Sequence, residues 1–508
     1  MNTFIEVFKK REDILWEKLF EHVQMSLIAL VIAMLIAVPV GLILTRHKKI
    51  AEPIIGITAI LQTIPSLAIL AFLIPLFGIG KIPAIIALII YGLLPILRNT
   101  YTGISGVDPA LVEAATGMGM NSFKRLVKVE LPIAIPVIMA GIRTSMVLIV
   151  GTATIAALIG AGGLGELILL GLDRGADINL ILLGAIPAAL LAIILDLALR
   201  GVEKLSKRTG IKAFAIMSIV VILLAVIPSA ISYNKKPDIV IGAKLGAEPE
   251  ILINMYKLLI EDETDLKVDL KPGLGKTSLV FKALQNGSID LYPEFTGTAI
   301  VTQLEEKANS NEANKVYNQA KVGMKKKYDM AYLKPMQYNN TYTVALKRNI
   351  AKKYNLETIG DLRSVEDQLT AGFTLEFKDR KDGYQGMKKL YNLNLTTVKS
   401  MDAGLRQRAI QKNEVQIIDA YATDSYVKKL DLVALEDPSH LFPPYQGAPL
   451  MRQETLDKYP DLEHALNKLA GKITDDDMRN MNYQVDDKGR YAEDVARSYL
   501  EQNSLLGK

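Results

Sequence analysis

Aromatic side chains lie beside hydrogen-bonding groups in three short runs of the second half of the chain. A single tyrosine of this kind is usually a half-buried core residue whose hydroxyl contacts water. Several rings around one pocket, however, bind a permanent cation, each contributing roughly 0.5–2 kcal/mol. A quaternary ammonium has no N–H to donate, so these rings suit it as a receptor. The runs are Tyr292-Pro293-Glu294-Phe295-Thr296-Gly297-Thr298, Tyr338-Asn339-Asn340-Thr341-Tyr342 and Phe442-Pro443-Pro444-Tyr445-Gln446-Gly447, with Tyr421 and the segment Phe373-Thr374-Leu375-Glu376-Phe377-Lys378-Asp379-Arg380 in addition.

These runs lie near the ends of predicted strands. Residues 238–244 form an apolar strand pattern, and residues 250–259 follow with apolar side chains at helical spacing. Further short strands are predicted at 290–292 and 415–421. Strands that alternate with helices build α/β layers, which bind ligands in a crevice at the carboxyl ends of the strands. The sequence therefore predicts such a crevice for the aromatic runs.

The sequence lacks the residue patterns expected for nucleotide binding, metal binding or catalysis. The stretch from Gly273 to Ser278 resembles a phosphate-binding loop, but Leu270 stands where that motif requires its first glycine. The chain has no cysteine, and its four histidines show no paired metal-ligand spacing. No Ser-His-Asp or paired-carboxylate arrangement stands out. We therefore expect no metal, no cofactor and no enzyme activity, and the net charge of +5 gives no reason to expect nucleic acid.

Composition divides the 508 residues into a membrane part and a soluble part. We predict an N-terminal amphipathic segment at 1–23 on the outer membrane surface, a region of five membrane helices at 24–210, a sixth helix that tethers at 211–235, and a soluble domain at 236–508. A membrane helix requires roughly 20 apolar residues. The candidate spans lie near 24–45, 54–77, 82–97, 133–160, 178–199 and 212–233.

Basic residues set the predicted orientation. They concentrate after the first span, between the third and fourth spans, and after the fifth span, which places these three loops in the cytoplasm. The sixth span then runs outward, so the soluble domain is expected outside the cell. The basic residues are Arg46, Lys48, Lys49, Arg98, Lys124, Arg125, Lys128, Arg200, Lys204, Lys207 and Arg208.

One of these cytoplasmic loops carries a spaced motif of small residues. Small side chains let a short helix lie in a groove of another protein, and the proline stops the segment before the next apolar run. The spacing resembles the EAA loop, through which permease subunits of ATP-driven importers contact their ATPase. The resemblance implies a separate ATPase subunit that contacts Glu113, Ala114, Ala115, Gly119, Leu131 and Pro132.

The whole chain resembles a fused permease and substrate-binding protein of the osmoprotectant importer family, which handles glycine betaine, carnitine and choline. In the membrane part the resemblance is carried by Gln62-Thr63-Ile64-Pro65-Ser66, by Gly151-Thr152 and by the glycines from Gly160 to Gly165. It implies an all-α polytopic permease followed by an α/β two-lobed domain like those of periplasmic binding proteins. It also implies that the soluble domain binds the cargo and delivers it to the permease.

The resemblance assigns roles in the soluble domain residue by residue. Lys244 and Arg380 match basic positions that hold a ligand carboxylate, Thr298 matches a hydrogen-bonding position, and Asn340 stands where the family has a polar side chain. The aromatic walls carried over, which we call the cage rings, are Phe295, Tyr342, Tyr421 and Tyr445.

Two departures favour a particular branch of the family. Phe295 replaces the usual tyrosine, and residues 244–250 lack the usual aromatic residue and threonine. With the stretch 419–424, these features resemble the branch that imports ergothioneine, a trimethylated histidine with a thione. Possible partners for its ring N–H groups are Glu248, Glu376, Asp419 and Thr423.

The resemblance implies an ABC importer that works as a homodimer in the lipid bilayer, with two copies of the ATPase and a soluble domain on the extracellular side. The cargo expected is ergothioneine, with glycine betaine, carnitine or choline as the alternative. A membrane-tethered ligand sensor and an extracellular enzyme acting on a quaternary amine are further alternatives.

Overall fold

The computed structural model describes residues 4–173, 177–209 and 237–507, and it divides into two compact units near residue 236. The first unit is helical. Its helices, α1 to α10, are Phe4–Lys10, Glu12–Arg46, Lys48–Thr63, Ser66–Phe77, Lys81–Ser105, Pro109–Gly117, Ser122–Arg125, Leu131–Ala156, Gly165–Asp173 and Ile178–Thr209. A π-helical turn at Leu126–Glu130 precedes α8, and a 3-10 turn at Ala157–Ile159 follows it.

Four of the described helices are long and apolar enough to cross a membrane, namely Glu12–Arg46, Lys81–Ser105, Ser122–Ile159 and Ile178–Lys204. The predicted second span is broken, because α3 and α4 meet at 95° between Thr63 and Ser66. Ile64 is extended, as expected for a residue before a proline, and Pro65 lacks the N–H needed to continue the helix. The predicted sixth span at 212–233 lies outside the described residues.

The N-terminal segment, expected to form an amphipathic helix on the outer membrane surface, is helical in α1 and α2. From Glu12 onward it is continuous with the first span as α2, and Leu15 is buried. The Lys18 ammonium lies 2.7 Å from the Glu166 carboxylate, and Glu21 lies 3.2 Å from the Lys81 ammonium. The charges that gave this segment its amphipathic pattern therefore pair with other parts of the permease.

The second unit contains two five-stranded sheets with strand orders β2-β1-β3-β10-β4 and β7-β6-β8-β5-β9. The strands are β1 Ile239–Gly242, β2 Val268–Lys271, β3 Leu291–Phe295, β4 Met330–Tyr332, β5 Tyr342–Lys347, β6 Thr370–Thr374, β7 Thr397–Met401, β8 Ile417–Tyr421, β9 Leu432–Ala434 and β10 Gly447–Arg452. The helices, α11 to α23, are Ala247–Glu263, Thr277–Gln285, Thr296–Thr298, Ala313–Tyr328, Arg348–Tyr354, Leu375–Asp379, Tyr384–Leu390, Ala403–Gln411, Ser425–Lys429, Gln453–Lys458, Asp461–Asn467, Asp475–Asp486 and Ala492–Gln502. A π-helical turn at Ala299–Leu304 and a 3-10 helix at Ile359–Val365 complete the unit.

The chain crosses between the two sheets twice, because β10 returns to the first sheet after β5 to β9 have built the second. We call residues 237–338 and 446–507 lobe one, and residues 340–445 lobe two. The two crossing segments pair with each other through an antiparallel bridge between Asn339 and Gln446. This arrangement confirms the predicted two-lobed α/β domain after a helical permease.

Candidate ligand-binding cleft and coupling loop

Strand ends from both lobes place most of the predicted side chains at one edge of the soluble unit. Phe295 ends β3 in lobe one, and Tyr421 ends β8 in lobe two. Because β5 runs antiparallel to β8, its first residue, Tyr342, lies directly opposite Tyr421. Tyr445 lies in the crossing segment just before β10, and Glu376 follows β6. The strand order thus gathers residues that are far apart in sequence.

Tyr342 is the centre of an aromatic cluster. Its ring centroid lies 4.8 Å from that of Tyr421 and 5.7 Å from that of Tyr445, and the Tyr421 hydroxyl donates to the Tyr342 hydroxyl over 3.2 Å. The Tyr445 ring also packs against Gly297, where a Cβ would come within 2.7 Å of it. Phe295 lies in the other lobe, and its ring neighbour is Tyr338 at 6.5 Å. Tyr342 therefore contacts two other cage rings, Tyr421 and Tyr445, while the fourth, Phe295, lies in lobe one.

A cavity of about 710 Å³ adjoins this cluster beside the crossing segments. Tyr342, Tyr421 and Phe442 contribute to its lining together with Asn339 and Pro444. Phe295, Tyr445, Lys244 and Arg380 do not line it. The cavity therefore lies beside the predicted site and is lined by only some of the predicted residues.

The two predicted carboxylate holders are both paired with carboxylates of the protein. The Lys244 ammonium donates to Glu294 over 2.6 Å and lies 5.4 Å from the centre of the Phe295 ring. The Arg380 guanidinium donates to both oxygens of Asp382 over 2.8 and 2.7 Å. Arg380 also donates to the Tyr445 hydroxyl over 3.2 Å. A ligand carboxylate would thus meet these cations as members of neutral pairs.

Glu248 forms a polar connection between the lobes. Its carboxylate accepts from Tyr338 at 2.9 Å in lobe one, and from Asn340 at 2.9 Å and Thr423 at 2.7 Å in lobe two. Asn482 adds a longer contact at 3.4 Å. Burial raises the pKa of Glu248 above its usual value, although these donors oppose the shift. Three predicted residues, Glu248, Asn340 and Thr423, therefore meet, in a network that also holds the lobes together.

The remaining predicted carboxylates differ in access. Asp419 is fully buried and accepts from Thr374 at 2.8 Å and from Arg406 at 2.5 Å, so its oxygens are directed into lobe two. The Glu376 side chain is 25% exposed and has longer contacts, to Thr277 at 3.2 Å and Arg380 at 3.5 Å. Glu376 is thus the more open acceptor. Thr298 is buried one turn after Phe295.

Several residues of the site were not among the predicted ones. Glu294 and Tyr338 lie within the aromatic runs but received no role, and Asp382 follows Arg380 by two positions, a spacing that could have suggested the pair. Arg406 and Asn482 lie in helices far from the runs, and no local pattern marks them.

The predicted coupling loop is a folded segment of the permease. Asp108 caps α6, where its carboxylate accepts from Ala110 N over 2.9 Å, and Asn121 caps α7 in the same way. Between these helices Gly119 adopts φ +76°, a left-handed conformation that favours glycine. A Cβ at Gly119 would meet nothing within 4 Å. The turn is therefore set by the backbone and leaves open space around it.

Ion pairs connect the predicted coupling loop to the rest of the permease. Glu130 is buried and pairs with Arg125 at 2.8 Å and with Arg46 of α2 at 3.1 Å. Glu113, Ala114 and Gly119 are exposed, Ala115 is buried, and Leu131 with Pro132 opens α8. The apolar side chains of Met118 and Phe123 are 71% and 75% exposed. Exposed apolar side chains of this kind could contact a protein partner.

Comparison with known proteins agrees with this organisation. Residues 237–502 match the family described as the substrate-binding domain of ABC-type glycine betaine transport systems, and residues 29–234 match the inner membrane component of binding-protein-dependent transport systems. The chain is 31% identical over 490 residues to the ergothioneine transport permease/ergothioneine binding protein EgtU of Helicobacter pylori (strain G27). This match covers 93% of the chain and 88% of that protein.

Relatives with separate subunits match the two parts. The choline transport system permease protein OpuBB of Bacillus subtilis is 50% identical over 204 residues, covering 40% of this chain and 94% of that protein. The carnitine transport binding protein OpuCC of Listeria monocytogenes is 34% identical over 275 residues, covering 54% of this chain and 89% of that protein. The chain therefore belongs to the ABC-type glycine betaine transport family, as a membrane protein that fuses the permease with its substrate-binding domain and acts as a transport component rather than an enzyme.

Proposed function

We propose that this importer component carries a trimethylammonium zwitterion, and that ergothioneine is its cargo. The observation that carries the proposal is the cluster of Tyr342, Tyr421 and Tyr445, with Phe295 on the facing lobe. Ring faces attract a quaternary ammonium electrostatically and require no hydrogen bond from it. The opposite end of the cargo meets polar groups of both lobes.

Two observations support ergothioneine over simpler betaines. A relative that extends over nearly the whole chain is named for ergothioneine, at 31% identity. Glu376 is a partly exposed carboxylate whose contacts are long, and it bridges lobe two to Thr277 of lobe one. A carboxylate in this position can accept from an N–H group of the imidazole-2-thione ring. Glycine betaine has no such donor.

We propose the assembly of an ABC importer for this chain. Two copies of the chain form the pathway, and two copies of a separate ATPase bind on the cytoplasmic side at the coupling loop. The soluble domain lies outside the cell, closes on its ligand and releases it into the permease when ATP binding turns the pathway outward. The exposed Met118 and Phe123 of the coupling loop support this position for the ATPase.

Osmoprotectant uptake is the second candidate function. The names of the shorter relatives, a choline permease and a carnitine-binding protein, favour it. Any of these ligands would satisfy the rings, because each carries a trimethylammonium. The two candidates differ in the polar end of the cargo, and that end decides between them.

Binding measurements on the full chain in lipid nanodiscs test the proposal. Isothermal titration calorimetry should give the affinity order ergothioneine, then glycine betaine, then choline. Choline lacks the carboxylate, and loss of a charge-assisted contact costs about 1.5–3 kcal/mol, or roughly ten- to a hundredfold. Glycine betaine leaves the ring-binding groups unpaired, a penalty of similar size. Tight binding of choline or carnitine without binding of ergothioneine would establish the osmoprotectant function instead, and ligand binding without uptake in cells would favour a sensor.

A further inference from the structure

Each cage ring has one of the protein's own cations near its face. Lys244 lies 5.4 Å from the centre of the Phe295 ring. Arg380 lies 5.2 Å from Tyr342 and 5.9 Å from Tyr445. Arg406, from the interior of lobe two, lies 5.8 Å from Tyr421. Rings that are expected to receive a ligand cation are thus already in contact with protein cations.

Each of these cations is held by a buried carboxylate. The distances are 2.6 Å for Lys244 and Glu294, 2.7 Å for Arg380 and Asp382, and 2.5 Å for Arg406 and Asp419. Without these partners, three positive charges would surround the site and repel a bound quaternary ammonium. The carboxylates make the surroundings of the rings neutral, and Glu376 adds a further carboxylate beside Arg380.

Among these carboxylates, Asp382 should affect the cage rings most, because its partner Arg380 lies near two of the four rings. Both side chains of the Arg380–Asp382 pair are only 7% exposed. Asp382 takes the Nε and Nη2 donors of Arg380, and it also accepts from the Tyr445 hydroxyl. The Nη1 edge remains, with contacts to Thr302 at 3.1 Å and Glu376 at 3.5 Å. A ligand carboxylate would therefore compete for one edge of a guanidinium whose charge is already balanced.

We propose that Asp382 is a specificity-determining residue, which sets the balance between cationic and zwitterionic ligands by neutralising Arg380. The inference rests on the proposed binding of a trimethylammonium group and concerns the protein charges around that group. With Asp382 in place, the rings accept a cation and Arg380 attracts a carboxylate only moderately. With Asp382 neutral, the carboxylate left beside Arg380 is the longer contact to Glu376 at 3.5 Å, so the charge of Arg380 is less well balanced. Arg380 then repels the cation and attracts the carboxylate more strongly, and the affinities for ligands with and without a carboxylate differ more.

The test compares choline, which has no carboxylate, with glycine betaine, which has one. Both are titrated by calorimetry into the full chain in nanodiscs, as wild type and as Asp382→Asn. The ratio of choline Kd to glycine betaine Kd should rise by about tenfold or more in the variant, the order expected for one unpaired charge a few ångströms from a bound cation. Asp379→Asn is the matched control, because Asp379 is an exposed carboxylate three positions earlier on the same segment, and it should leave the ratio unchanged.

A second variant separates charge from structure. In Arg380→Gln/Asp382→Asn both charges are gone, so choline should regain affinity relative to Asp382→Asn while glycine betaine should not. Asp382→Glu keeps the charge and should keep the wild-type ratio. Equal losses for both ligands in Asp382→Asn, or no recovery of choline in the double variant, would overturn the inference and leave the proposed function standing. A wild-type chain that binds no quaternary ammonium would overturn both.

Discussion

The predicted coupling loop and the candidate ligand-binding site both contain ion pairs, but they differ in the side chains that accompany those pairs. In the loop, Glu130 and its arginines lie below, and Met118 and Phe123 project outward. In the cleft, the ion pairs lie beside rings that are themselves buried, such as Tyr342 and Tyr445. A surface of exposed apolar side chains suits a macromolecular partner, whereas buried rings at a junction of lobes suit a small cation.

Removing the soluble domain should have the largest effect, because it deletes the cleft and leaves the loop. A chain truncated after residue 236 should still insert into the membrane and still bind the ATPase through the coupling loop. High-affinity uptake of the cargo should fall to background. Uptake of labelled ligand by cells, with the membrane fraction assayed by immunoblot, measures both properties, and undiminished uptake would contradict the receptor role of the soluble domain.

Changing Gly119 should have the opposite effect, because it should impair the predicted coupling loop and leave ligand binding intact. Gly119→Phe places a bulky side chain in open space at a backbone with φ +76°, so it should obstruct the partner without altering the cleft. Uptake should be lost while ligand affinity of the full chain stays at the wild-type value. Gly119→Asn serves as the control, because asparagine tolerates the left-handed conformation and adds less bulk. Normal uptake by Gly119→Phe would show that this loop is not the ATPase contact.

Altering Tyr342 should weaken the cleft alone. Tyr342→Ala removes the central ring, which should weaken ligand binding about twofold to thirtyfold if the ring contributes roughly 0.5–2 kcal/mol. Tyr342→Phe keeps the ring and loses the hydrogen bond with Tyr421, so its loss should be smaller. Copurification of the ATPase with either variant should be unchanged. Equal affinity for ligand in Tyr342→Ala and wild type would remove Tyr342 from the cage.

The sequence predicts features that depend on local spacing. The strand and helix patterns at 238–259 and 415–421 correspond to β1, α11 and β8, because their apolar periodicity matches the buried faces. The motif from Glu113 to Pro132 maps onto the helix ends and the glycine turn of the coupling loop. These features follow from neighbours in sequence, so no tertiary information was needed.

Long-range pairings could not be predicted in the same way. Glu248 receives donors from residues near 338, 423 and 482, which only the double crossing between sheets brings together. Lys244 and Glu294 are fifty positions apart. The charges Lys18 and Glu21 of the N-terminal segment find their partners, Glu166 and Lys81, in the distant helices α9 and α5. The aromatic residues were recognisable by type, whereas the carboxylates that balance the neighbouring cations were not.

The smallest expected effect concerns Glu248 and the pH dependence of stability. Burial raises the pKa of Glu248 above its usual 4.5, so the folded state binds this proton more tightly than the unfolded state. Its contribution to the free energy of unfolding is therefore fully present below the unfolded pKa and is lost as pH rises through the folded pKa. Glu248→Gln cannot ionise, so the stability of wild type relative to this variant should decline with rising pH, by at most about 1.4 kcal/mol per pH unit.

Thermal unfolding of both proteins from about pH 4 to about pH 8 measures this difference. Glu501→Gln is the control, because Glu501 is an exposed glutamate of α23 and its replacement should give a difference that does not vary with pH. The comparison matters for the cleft because Glu248 joins the lobes through Asn340 and Thr423. If the difference between wild type and Glu248→Gln is flat or rises with pH, the four donors outweigh burial, and Glu248 holds the lobes together as a permanently charged carboxylate.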